Sequence, residues 1–89
     1  MELLKCYYYI QPRAKAEKIN KICESVQRLT NFERYQYNYI QQIGHTINHH
    51  RKGHKIDILF YDNHKEEIRK ELERYFRIND DVICYCITK

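Results

Sequence analysis

The sequence predicts an α+β fold in which two helices lie on one face of a four-stranded antiparallel sheet. Three observations carry that expectation. The chain opens with strict alternation from Leu4 to Ile10 and closes with a β-branched and aromatic run from Val82 to the C-terminus. Between them stand two stretches with apolar residues three and four apart, and these are separated by two further alternating runs.

In the first run Leu4, Cys6, Tyr8 and Ile10 share one side, Lys5, Tyr7 and Tyr9 the other, and Gln11-Pro12 ends the strand. From Ala14 to Leu29 the apolar groups Ile19, Ile22, Cys23, Val26 and Leu29 form a stripe, with Lys and Glu elsewhere on the wheel, so a helix should lie on the sheet. The segment from Phe32 to Thr46 places Tyr35, Tyr37 and Tyr39 at spacing two and lacks a helical period, which predicts the second strand. The polar, basic stretch Asn48 to His54, with Gly53 as its backbone-permissive residue, should be an exposed hairpin tip. Its return strand runs from Lys55 to Tyr61, with Ile56, Ile58 and Phe60 opposed to Asp57, Leu59 and Tyr61. Asn63, with Glu66 three residues on, has the spacing of a capping box for a last helix whose stripe is Ile68, Leu72, Tyr75 and Phe76. Asn79-Asp80-Asp81 then turns the chain into the final strand. The order β-α-β-β-α-β is the ferredoxin-like split motif, which leaves one sheet face open.

At 89 residues the chain is expected to form one domain over residues 1–89, with a shallow core. Lys and Glu interrupt every long apolar window, so no membrane partner is expected. Entry into a strand pattern at the first residues predicts no secretory leader, and four Cys without one predict free thiols in a reducing compartment. A net charge of +4 favours an anionic partner mildly. The charge is uneven, because His45 to Lys55 holds four His, one Arg and two Lys with no acid, which makes that segment the expected anion-facing surface.

The residues Glu71 to Ile83, Glu-Leu-Glu-Arg-Tyr-Phe-Arg-Ile-Asn-Asp-Asp-Val-Ile, resemble the last-helix signature of the bacterial-type small-subunit ribosomal protein six family, a Phe-Arg-x-Asn-Asp/Glu-x-Val core before a short final strand. Leu4 to Pro12 is similar to that family's first strand with its terminal Pro. Gln42 to Asn48 stands where the family writes Arg-x-Leu-Ala-Tyr-Pro-Ile-Asn, and Lys52-Gly53-His54 stands near its Lys-Ala/Gly-His/Tyr. The resemblance spans the chain, with departures: Tyr-Pro reads His45-Thr46, the initial Tyr-Glu reads Leu4-Lys5, and Trp/Leu-Gly-x-Arg reads Asn38-Tyr39-Ile40-Gln41. Together with a composition rich in Ile, Asn, Lys and Tyr, these departures lead to the expectation of an organellar ribosome, mitochondrial ahead of plastid or bacterial cytoplasm. The resemblance implies a structural protein of the small ribosomal subunit. Its partners would be the central domain of the small-subunit ribosomal RNA, ribosomal protein eighteen and other small-subunit proteins.

On this basis the RNA-binding candidates are His45, His49, His50, Arg51, Lys52, His54 and Lys55 of the hairpin, with Arg77 and Lys89. The partner-binding candidates are Lys5, Tyr7, Tyr9, Tyr37, Tyr39 and Tyr85, taken to line the open sheet face. Aromatics on such a face are also how RNA-recognition modules stack bases, but the basic-Gly-aromatic-Gly/Ala-aromatic stretch of that module is missing from Lys55 to Tyr61. The basic tip has a plainer reading as a solvated loop, and the tyrosines as ordinary strand residues. Cys84 and Cys86 share one side of a strand, but there is no Cys-x2-Cys pair, and His45/His49 and His50/His54, though four apart, fall in an expected hairpin and not on a helix, so no metal or other cofactor is expected. Without a Gly-rich phosphate loop or a nucleophile motif, neither catalysis nor a small-molecule substrate is expected. The alternative function is a free-standing RNA-binding or regulatory domain of the same fold.

Overall fold

The structure is a computed structural model that describes residues 1–41, 52–63 and 65–89. Its elements are β1 (Glu2–Ile10), α1 (Ala16–Thr30), β2 (Arg34–Ile40), β3 (Gly53–Asp62), α2 (Glu67–Ile78) and β4 (Val82–Thr88). The strands form one antiparallel sheet in the order β2-β3-β1-β4, so the expected α+β, ferredoxin-like architecture is present. No described helix is long and apolar enough to cross a membrane.

The sheet is built on β1 and β3, which pair from Glu2↔Asp62 to Ile10↔His54. Residues directly opposite in an antiparallel pair point to the same side. Leu4, Cys6, Tyr8 and Ile10 therefore share a face with Phe60, Ile58 and Ile56, and all seven are at most 3% exposed. Ile22 and Val26 of α1 and Leu72 and Phe76 of α2 close over that face. Tyr8 sits at the centre with its ring 4.8 Å from Phe76, and Phe76 lies 5.1 Å from Tyr85. A buried phenol needs a partner, and Tyr8 Oη donates to Cys23 Sγ at 3.6 Å.

The helix ends differ in how their backbone groups are satisfied. α1 closes through Asn31, left-handed at φ 47°, whose N–H reaches the Gln27 carbonyl at 2.7 Å. At its start Lys15 is extended and no side chain caps the helix. α2 is capped by two consecutive side chains at the end of β3. Asp62 Oδ1 accepts from the N–H of Asn63 at 2.8 Å and of Ile68 at 3.2 Å, and Oδ2 accepts from the N–H of Arg69 at 3.1 Å. Asn63 Oδ1 takes the N–H of Glu67 at 3.2 Å, and its amide donates back to the Glu67 carboxylate at 3.1 Å. The expected pairing of Asn63 with Glu66 is thus replaced. Glu66, left-handed at φ 56°, is the N-cap, so α2 starts at Glu67, three residues later than a cap at Asn63 implies, and the reciprocal bond of Asn63 goes to Glu67.

Two boundaries also move. β2 begins at Arg34 rather than Phe32, and β3 begins at Gly53, so Gly53 and His54 belong to a strand and not to an exposed tip. Gly53 has no left-handed φ there. A Cβ at that position would stand 3.2 Å from the Ile10 carbonyl oxygen, so the close approach of β1 is what calls for glycine.

Asp62 is 1% exposed, and removing its carboxylate leaves two helix N–H groups without acceptors. Asp62→Ala should cost about 3 kcal/mol, from a lost cap with charge-assisted bonds. For a domain of this size that lowers the melting temperature by about 12 to 24 °C in a circular-dichroism melt. Asp62→Asn, which keeps one acceptor oxygen, should fall between.

Candidate functional site: the two faces of the sheet

Because both helices pack on one side, the other face of the sheet is uncovered. Its side chains stand in rows across the four strands: Arg34, Leu59, Lys5 and Thr88; then Gln36, Asp57, Tyr7 and Cys86; then Asn38, Lys55, Tyr9 and Cys84. Leu3 and Tyr61, opposite each other on β1 and β3, extend it with 44% and 42% exposure. A cavity of about 410 Å³ on this face is lined by Lys5, Tyr7, Arg34, Gln36, Asp57 and Leu59 among others. The Tyr7 and Tyr9 rings meet edge to face at 5.9 Å. Lys55 Nζ lies 5.2 Å over the Tyr7 ring and 3.8 Å from Asp57 Oδ1. The surface therefore offers aromatic and aliphatic area ringed by fixed charges of both signs.

Lys5, Tyr7 and Tyr9 stand on this open face, as expected. Tyr37, Tyr39 and Tyr85 do not. Tyr37 is opposite Ile56, Tyr39 opposite His54 and Tyr85 opposite Tyr8, so all three point to the helix side. Tyr85 packs on Phe76 within the core. Tyr35, Tyr37 and Tyr39 are 41–47% exposed only because β2 is an edge strand that the helices do not fully cover.

The RNA-binding candidates scatter in the same way. His45, His49, His50 and Arg51 lie outside the described residues, while Lys52 is exposed just before β3. His54 is not a free donor. It is 9% exposed, with Tyr39 edge-on at 4.9 Å, its Nδ1 2.6 Å from Tyr37 Oη, and its Nε2 3.4 Å from the Pro12 carbonyl oxygen. A carbonyl only accepts, so Nε2 donates to Pro12, and Nδ1 is hydrogen-bonded to the Tyr37 hydroxyl. Lys55 is on the open face in the contacts just given. Arg77 is exposed on α2, and its Nε donates to Tyr85 Oη at 3.3 Å, which raises the guanidinium pKa further. Lys89 pairs with Glu2 at 3.4 Å at the far end of the sheet.

Two of the thiols, Cys6 and Cys84, are poor nucleophiles. Burial, then the neighbouring Cys86 and Asp57, push Cys6 up to about 12, and burial followed by Cys86 raises Cys84. Burial, together with contact to Cys86, likewise raises the Tyr7 phenol. Among the described residues, no three or more His, Cys, Asp or Glu are grouped to hold a metal ion. Sequence reasoning missed Asp62, whose Asp-Asn spacing before an amphipathic stretch was legible, and missed that Tyr37 and His54 form a pair.

No protein-family model matches the chain, and no curated protein sequence matches it. Among solved structures, the chain is similar to the crystal structure of 30S ribosomal protein S6 from Thermotoga maritima, with a TM-score of 0.84 and 15% identity. The alignment covers 96% of this chain and 83% of that one. At this identity the likeness is one of fold.

Tyr37→Phe should destabilise the protein by about 1 to 2 kcal/mol, because it leaves the nearly buried His54 Nδ1 without its hydrogen-bond partner. Denaturant unfolding reads that loss directly. Binding of an open-face partner should be unchanged, since the Tyr37 side chain is on the other side of the sheet.

Proposed function

We propose that this protein is a structural component of a small ribosomal subunit, the role named for the solved structure whose fold it shares. The observation that carries the proposal is the end-to-end fold likeness, 96% of the chain at a TM-score of 0.84, to 30S ribosomal protein S6. The resemblance of Tyr75-Phe76-Arg77 and Asn79-Asp80-Asp81-Val82 to the family's last-helix signature supports it from the sequence side.

In this role the chain catalyses nothing. Two helices and a sheet make a rigid body whose open face, with Lys5, Tyr7 and Tyr9, docks a protein partner, for which ribosomal protein eighteen is the family's candidate. Its mixture of apolar area and both charge signs suits a protein surface better than a uniformly anionic one. The basic segment around Arg51 and Lys52 neutralises phosphates of the small-subunit ribosomal RNA in its central domain, where the pair would stabilise the platform. Other small-subunit proteins complete the setting, and the proposed location is a mitochondrial ribosome.

A second reading, a free-standing RNA-binding domain, is favoured by the side-by-side Tyr7 and Tyr9 rings on an open four-stranded face. Sedimentation of the native protein from lysed organelles through a sucrose gradient separates the two. Comigration with the small subunit in magnesium, lost on its removal, is the expected result; sedimentation as a free small protein in both conditions would discard the ribosomal reading. Replacing Arg51 and Lys52 by Ala should weaken that association without changing the melting temperature.

A further inference from the structure

The four strand ends Ile10, Ile40, Gly53 and Val82 lie at one end of the sheet, since Ile10 pairs with both His54 and Val82, and Ile40 with Gly53. The N-terminus of α1 stands at the same end. Here the β1–α1 connection and the turn before β4 enclose a cleft of about 410 Å³, into which Arg13, Lys15, Lys18 and Lys21 all project. Its acids are Glu17 and Asp81, and Asp81 is already engaged, by Gln11 Nε2 at 2.6 Å and by Lys18 Nζ at 3.4 Å. Among the described residues, Arg13, Lys15 and Lys21 have no carboxylate within ion-pair distance. The largest apolar side chain lining the cleft is that of Ala14.

We infer that this cleft is a phosphate-binding groove for an RNA strand, distinct from the basic candidates of the β2–β3 segment. The inference rests on the RNA-bound reading above. The guanidinium fork of Arg13 and the ammonium groups of Lys15 and Lys21 suit phosphate oxygens, with Lys18 held against Asp81. Lys15 to Lys21 spans about 9 Å along the helix axis, room for two successive phosphates of one strand. The uncapped first turn of α1 adds N–H donors and a positive dipole end at the same place, whereas the first turn of α2 is filled by Asp62 and Asn63. The Pro12 carbonyl lies 3.4 Å from Nε2 of His54, two residues from the exposed Lys52, so Lys52 stands at the same end of the sheet as the cleft. A lipid surface is a poor fit, because the cleft lacks the apolar anchors that hold a protein in an interface.

The test is anisotropy of a short labelled oligouridylate with the whole protein, titrated from about 20 mM to about 200 mM KCl, a range over which phosphate contacts are read from the salt slope. The variant R13Q/K15Q/K21Q should reduce the slope of log affinity against log salt by about 2 and bind at least about tenfold more weakly at low salt. The control K65Q/K70Q/R74Q removes the same charge at and along α2 and should leave the slope near that of the native protein. Equal effects of the two variants would reduce the groove to general charge, and absence of binding by the native protein at the lowest salt would also overturn it. Tighter binding to phosphatidylserine vesicles or to polyglutamate than to the oligouridylate, lost in the first variant, would reassign the groove to a membrane or an acidic protein. Each of these outcomes is independent of sedimentation, so failure of the groove and failure of the ribosomal role are told apart.

Discussion

Asp62 is the residue through which the sheet and the second helix become one body. It ends the central strand β3, is fully buried, and holds the N–H groups of Ile68 and Arg69. A carboxylate out of water is tolerated only when its oxygens are bonded, and here the acceptors it provides are the ones a helix N-terminus lacks. The reciprocal fit fixes where α2 starts and which of its faces meets the sheet. Leu72 and Phe76 are then delivered onto Tyr8 and Phe60, and Phe76 in turn seats Tyr85 of β4. One junction therefore sets the register of a helix, the centre of the core and the position of an edge strand.

The second consequence of this packing is asymmetry. Both helices cover the β1, β3 and β4 side, and β2 stands at the edge with its three helix-side tyrosines only partly sheltered. They are tied down locally instead: Tyr35 stacks on Phe32 at 5.6 Å, and Tyr37 and Tyr39 clasp His54. Aromatic rings with a polar tip suit such a margin, because the ring removes apolar area from water while the hydroxyl finds a partner or stays wet. His54 is thereby spent on structure, pinning the start of β3 to the Pro12 carbonyl beyond the end of β1.

In the role proposed, the work divides between a face and an end. The open face presents Lys5, Tyr7, Tyr9, Lys55 and Leu59 in fixed rows, a surface with area and mixed charge for a protein. The end where Ile40 and Gly53 meet gathers Lys52 with the cleft formed by Arg13, Lys15 and Lys21, positive and free of large apolar groups. Under the proposed function, their separation would let a protein partner and an RNA strand be held at once without either excluding the other. A net charge of only +4 makes placement matter more than amount.

The sequence by itself determined the elements and the fold, because alternation and the helical period are local properties that the chain writes residue by residue. Leu4, Cys6, Tyr8 and Ile10 were legible as one face, as were Ile56, Ile58 and Phe60. Only the tertiary structure decided which face of one strand lies beside which face of the next. Tyr35, Tyr37 and Tyr39 share a side in either case, but the pairing of Tyr37 with Ile56, and not with Asp57, puts them under the helices instead of on the open face. A shift of one residue would reverse that, and nothing local in Arg34 to Ile40 specifies it. His54 left the basic tip for the same reason, since its burial comes from Tyr37 and Tyr39 across the ladder. Arg13, Lys15 and Lys21 became a cleft only when the turn at Asp81, distant in sequence, was brought against them.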